Sequence, residues 1–127
     1  MQGLEYLPNE DLFIESSGLY GKSKVQKLAI DGIKIKPVSS VSIDKEYFCE
    51  GVTTNPQNHT EFLVLTWREN TIFTFTNNLE MKNKQPLWNG LQEGWGMTHI
   101  DAKIYASDGT STLTVVDSTT FETDSQV

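Results

Sequence analysis

Glu50-Gly51-Val52-Thr53 returns later in the chain as Glu93-Gly94-Trp95-Gly96-Met97-Thr98, and Gln2-Gly3-Leu4 stands a similar distance before it. Gly3 and Gly51 are 48 residues apart, and Gly51 and Gly94 are 43 apart. Each opening leads into the same order of short segments. In the first pass Gly3 to Leu7 is stopped by Pro8-Asn9-Glu10, and Leu12 to Ser16 runs to a glycine-containing turn. Lys24 to Ile30 follows, then the hairpin signal Asp31-Gly32 and a polar outer strand from Lys34 to Val38. Pro37 fits that strand only at an edge, because proline donates nothing to a ladder. The second pass runs through Glu61 to Trp67 and Thr71 to Thr76 to a polar fourth strand around Met81. The third runs through Lys103 to Ser107 and Ser111 to Asp117, with a weak fourth strand near Phe121.

A period of about 40–50 residues with four strands each is the pattern of propeller blades. A β-sandwich also has turns every 8–12 residues, but it gives its opening motif no reason to recur. Composition agrees with an all-β chain: among 127 residues there are 14 Thr and 3 Ala. Thr suits a pleated surface and Ala favours helices. The expectation is a partial β-propeller with blades at approximately 1–44, 45–88 and 89–127. Closed rings typically hold 4–8 blades, so three leave two apolar faces uncovered. The chain is strand-like from its first residues, and Ser125-Gln126-Val127 brings no closing strand. We therefore expect part of a larger ring, or, as the alternative, association of two copies.

Charge and scarce residue types exclude several functions. Ten Lys+Arg against 17 Asp+Glu leave a net charge of −7 without basic clusters, which disfavours nucleic acid. One cysteine, Cys49, excludes an internal disulfide framework, and two histidines, His59 and His99, make a multi-His metal site unexpected. The longest aliphatic and aromatic run, Phe62 to Leu65, is far short of a membrane-spanning helix.

In a propeller the first strand of each blade lines the central channel, so residues at the strand entrances converge. Here they are Gln2, Glu50 and Glu93, with Phe48 and Trp95 beside them. Carboxylates and aromatics on such a ring suit a small-ligand site. Each residue also has a plainer reading. Glu50-Gly51 reads as a solvated turn, and Gly94 and Gly96 as positive-φ positions with Trp95 filling core. Trp67 reads as core beside an exposed Arg68–Glu69 ion pair, and Trp88 as cover for a blade edge. Cys49 reads as a small apolar residue, and Asn58-His59-Thr60 as a chance glycosylation triplet.

Taken in order, the motifs are less accidental. They are Gln2-Gly3-Leu4, Leu12-Phe13-Ile14-Glu15-Ser16-Ser17-Gly18-Leu19-Tyr20-Gly21-Lys22-Ser23, Tyr47-Phe48-Cys49-Glu50-Gly51-Val52-Thr53, Leu65-Thr66-Trp67-Arg68-Glu69, Glu93-Gly94-Trp95-Gly96-Met97-Thr98 and Ser107-Asp108-Gly109-Thr110-Ser111-Thr112-Leu113. The series resembles the plant and bacterial type of glutaminyl-peptide cyclotransferase (glutamine cyclotransferase) over essentially the whole chain. The resemblance implies a five-bladed propeller, often secretory and monomeric when complete. It implies a peptide or protein N-terminal glutamine as substrate, converted to pyroglutamate with release of ammonia, without metal or other cofactor. By the same resemblance Glu50 is the acid/base group, Gln2 and Phe48 line the channel around substrate, and Trp67 and Trp95 wall the pocket. Glu93 takes an orienting place beside Trp95. Two readings from other classes stand beside this one. One is a non-catalytic propeller module. The other is a metal-dependent propeller hydrolase, which needs three or four converging ligands where only Gln2, Glu50 and Glu93 converge.

Overall fold

The computed structural model describes residues 1–127 and contains twelve strands in three four-stranded antiparallel sheets. Blade 1 holds β1 (Gly3–Leu7), β2 (Leu12–Ser17), β3 (Lys24–Asp31) and β4 (Lys34–Ser42). Blade 2 holds β5 (Cys49–Asn55), β6 (Asn58–Thr66), β7 (Thr71–Thr76) and β8 (Met81–Pro86). Blade 3 holds β9 (Met97–Ile100), β10 (Lys103–Ser107), β11 (Leu113–Asp117) and β12 (Thr123–Gln126). Each blade is a meander in sequence order, and the inner strand β5 packs against β1 on one side and β9 on the other. The chain is a partial β-propeller. No helix is long and apolar enough to cross a membrane.

Burial explains which segments alternate and which do not. Blade 2 lies between the other two and is apolar on both faces, so β6 reads as a continuous run. Its Phe62 and Val64 join Leu7, Ile14, Val25 and Val52 in the core towards blade 1. Its Leu63 and Leu65 join Ile72, Ile104, Ala106 and Val116 in the core towards blade 3. The outer strands β4 and β8 are almost wholly exposed and carry lysines, which blunts their free edges. Pro37 sits on β4, where a bulge drops Val38 from the pairing with β3. Leu4, Phe13, Leu28, Ile30 and Ile35 line an apolar groove of about 190 Å³ on the uncovered face of blade 1.

The weak fourth strand expected near Phe121 lies at Thr123–Gln126, and Phe121 itself adopts a left-handed turn conformation (φ 59°) that ends the connection from β11. One expectation needs correction. Trp88 is not an edge cover. It is 5% exposed and stacks on Phe121 at 5.8 Å between ring centres, inside the core between blades 2 and 3.

The blades meet closely at the inner strands. A Cβ on Gly51 would lie 2.6 Å from the Met97 nitrogen and 2.8 Å from the Trp95 oxygen, both backbone atoms. Only glycine allows that approach. The Gly51 N–H then donates to the Trp95 carbonyl at 2.7 Å, joining blade 2 to blade 3.

Candidate active site

Glu50 owes its position to a bulge. Cys49 pairs with Thr66 and Val52 with Val64, so β5 spends one more residue than β6 between the same two rungs. A bulge of this kind re-aims a side chain and leaves backbone groups unpaired in its own sheet. Both neighbouring blades take up those groups. The Ser16 hydroxyl donates to the Glu50 carbonyl, and the Gly51 N–H goes to Trp95 as described.

Four further residues complete the pocket. Gln2 precedes β1, Phe48 precedes β5, Trp67 follows β6 and Trp95 precedes β9. Together with Glu50 they line a pocket of about 250 Å³ at one end of the inner strands. Backbone bonds string its walls together. The Trp67 N–H donates to Phe48 O at 2.9 Å, and the Gly94 N–H donates to Trp67 O at 2.9 Å. The Trp95 N–H reaches Ser107 O at 3.0 Å. Phe48 meets Trp67 edge-on at 5.4 Å.

Glu50 is the carboxylate that lines this space, and Glu93 and Glu69 stand behind its aromatic walls. No protein donor reaches the carboxyl of Glu50. Burial, then the charges of Glu93 and Glu69, push its pKa up to about 7. Glu93 accepts the indole N–H of Trp95 at 2.6 Å and that of Trp67 at 3.0 Å, both on Oε1. Those bonds, Trp95's first, hold its carboxyl below the usual carboxylate range. Glu69 accepts the Phe48 backbone N–H at 2.7 Å on one oxygen and the Tyr20 hydroxyl at 3.0 Å on the other.

Several plainer readings fail against this geometry. Trp95 is 47% exposed, so it does not fill core. Neither Gly94 nor Gly96 has positive φ, and Gly94 is required because a Cβ there would strike the Thr66 carbonyl. Arg68 does not pair with Glu69. Its Nε lies 3.6 Å from Glu93 Oε2, and its guanidinium carbon is 4.0 Å from the centre of the Trp67 ring. Cys49 is a buried apolar residue, and desolvation pushes its thiol up to about 12. His59 is exposed, whereas His99 Nδ1 meets Thr53 Oγ1 at 2.8 Å on the inner strands, away from Glu50's pocket.

Sequence reasoning missed the supports of the pocket. Tyr20 and Glu69 back the Phe48 wall, and the only signal for Glu69 was its place two residues after Trp67. Gly109 has φ +83°, and a Cβ there would lie 2.7 Å from the Trp95 ring. The Asp108-Gly109 turn therefore seats the indole.

The class is a partial β-propeller with an aromatic-walled carboxylate at its inner-strand entrances. Comparison with known proteins narrows it. The glutamine cyclotransferase family model matches residues 1–127. A glutaminyl-peptide cyclotransferase of Arabidopsis thaliana is 35% identical over 121 residues, which is 95% of this chain and 36% of that protein. The crystal structure of Myxococcus xanthus glutaminyl cyclase superposes with TM-score 0.78 at 24% identity, over 99% of this chain and 49% of that one. The Pan2 WD40 domain of Neurospora crassa gives TM-score 0.65 at 18% identity, over 91% of this chain and 32% of that one, a likeness of fold alone. The chain thus spans about a third of the curated relative and about half of the Myxococcus chain. It belongs to the glutamine cyclotransferase family.

Proposed function

We propose that this chain carries the acid/base half of a site that cyclises N-terminal glutamine to pyroglutamate with release of ammonia. In this reading residues 1–44, 45–88 and 89–127 are three blades of a five-bladed ring. The substrate is the N-terminus of a peptide or protein, and no metal takes part.

The chemistry needed is modest. The neutral α-amine attacks its own γ-carboxamide carbon and closes a five-membered lactam. Holding the two ends together removes much of the barrier, because effective molarities for such reactions reach about 10⁵–10⁸ M. The attacking nitrogen must lose a proton, and the departing nitrogen must gain one to leave as ammonia. Glu50 does both: its carboxylate takes the proton from the amine and its acid form returns that proton to the leaving group. A group used in both directions works best with a pKa near the working pH. The observation that carries this reading is Glu50, with a pKa of about 7, facing the pocket of Gln2, Phe48, Trp67 and Trp95. The aromatic walls exclude water and leave a slot suited to a chain end. The surrounding carboxylates favour an approaching ammonium terminus.

The test is ammonia release from a glutaminyl dipeptide by the full-length protein. Glu50→Gln keeps the shape but cannot shuttle a proton, so turnover should fall about 10²–10⁴-fold. Both Glu50 ionisation and amine deprotonation favour activity, so kcat/KM should rise through about pH 7 to 8, given an N-terminal amine pKa of about 7.7–8.0. No pyroglutamate from the unmodified protein, or near-normal turnover by Glu50→Gln, refutes the reading.

A further inference from the structure

We infer that Glu93 is a positioning residue: one oxygen of its carboxylate ties together indole walls carried by two blades and so sets the width of the Glu50 pocket. The kinetic consequences rest on the functional reading above, while the geometry stands without it.

Trp67 leaves the end of β6 in blade 2, and Trp95 enters β9 of blade 3. Nothing in either blade alone fixes the distance between their rings. Glu93 Oε1 receives both indole N–H groups, at 3.0 Å from Trp67 and 2.6 Å from Trp95. An indole has a single donor, and a partly exposed one can give it to water. Here both are spent on the same oxygen, so neither ring can swing without breaking a bond. The rest of the assembly is built around that oxygen. Arg68 places Nε 3.6 Å from Oε2 and lays its guanidinium over the Trp67 ring at 4.0 Å. Gly109 leaves room for the Trp95 ring on its other side.

The residue type matters. An ionised carboxylate is purely an acceptor, so it can take two N–H donors on one oxygen and face Arg68 with the other. Glutamine could keep the indole bonds through its carbonyl oxygen but would turn an NH₂ towards the guanidinium. Leucine would keep the bulk and none of the bonds. A solvated turn glutamate, the plain alternative, would need no indole partner at all.

Two readouts test this. The first is hydrogen exchange of the two indole Nε1–H groups, followed by NMR on this chain. The second is steady-state kinetics of the full-length protein on a glutaminyl dipeptide. Glu93→Leu should speed exchange of both indoles about tenfold or more and raise KM about tenfold, with kcat falling less, as expected for loss of bonds worth about one order of magnitude. Glu93→Gln should preserve indole protection and hold KM within about threefold. Its kcat/KM profile should rise at lower pH, because a negative charge near Glu50 is gone. Unchanged exchange and KM in Glu93→Leu overturn the inference, as does loss of indole protection in Glu93→Gln. Should Glu93→Leu not fold, Trp67→Phe removes one donor and keeps a ring. The Trp95 Nε1–H signal must then shift as its acceptor loses the second donor, and an unmoved signal overturns the inference. If the unmodified protein cyclises no glutamine, the functional reading fails, and the indole exchange still decides the role of Glu93.

Discussion

Replacing Glu50 by glutamine should make the chain more stable at neutral pH while removing its chemistry. A carboxyl carried from its ordinary 4.5 to about 7 resists ionisation in the folded state. At about 1.36 kcal/mol per tenfold in proton affinity this is about 3 kcal/mol before screening. Glu50 is only partly buried, and solvent screening brings the figure to roughly 1–2 kcal/mol. The sign follows from proton binding. Below pH 4.5 both folded and unfolded chains hold the proton, and Glu50 contributes nothing. Between 4.5 and 7 the unfolded chain releases it while the folded chain keeps it, so stability falls as pH rises. Above 7 the whole cost is present. Glu50→Gln has no such cost, so the two proteins should match near pH 4 and diverge towards pH 8. The variant should then melt roughly 3–10 °C higher. Thermal and urea unfolding of both chains from pH 4 to 9 is the assay. A variant that is no more stable at pH 8, or a difference that does not grow between pH 4.5 and 7, refutes the argument that burial and neighbouring carboxylates hold this proton.

Other outcomes follow from the same contacts. Gly51→Ala must force the backbones of β5 and the Trp95–Met97 segment apart, since the new Cβ would lie 2.6 Å from Met97 N. Overpacking of this kind costs about 1–3 kcal/mol, readable as a lower urea midpoint. Glu69→Gln has one acceptor oxygen where Glu69 uses two, one for the Phe48 N–H and the other for the Tyr20 O–H and the Arg68 N–H. It should cost about 1 kcal/mol and lower the Glu50 pKa, seen by carboxyl-carbon NMR. Cys49 should resist alkylation at pH 8 in the folded chain and react on unfolding, because burial holds its thiol near 12. Rapid labelling of the native protein contradicts that.

The blades were legible because their signals are local. Asp31-Gly32 marks the turn between β3 and β4, and Pro8-Asn9 ends β1. The recurring glycine has a physical cause that sequence spacing alone exposes: where inner strands crowd, a side chain at Gly51 has no room. The pocket's wall residues were named through the motifs that contain them. Its supports were not, because their partners are distant in the chain. Glu69 reaches back to Phe48 and Tyr20, and nothing in Trp67-Arg68-Glu69 separates a wall support from a solvated acid. Trp88 looked like an edge residue because its partner Phe121 lies in another blade.

The contrast between Glu50 and Glu93 explains how an acidic wall can serve a single proton. Groups crowded together resist ionising together, and the environment decides which one keeps the proton. Glu93 has two indole donors and Arg68 beside it, and its pKa is held down. Glu50, on its bulge, has no donor and feels the charges of Glu93 and Glu69. The asymmetry comes from connection more than from residue type, since the two side chains are chemically identical. The bulge in β5 turns Glu50 towards the pocket while its backbone groups are satisfied by Ser16 and Trp95 of the adjoining blades. A carboxyl placed there without donors is destabilising on its own account. The fold tolerates it because Cys49 and Val52 anchor β5 in the core towards blade 1 independently of the Glu50 side chain.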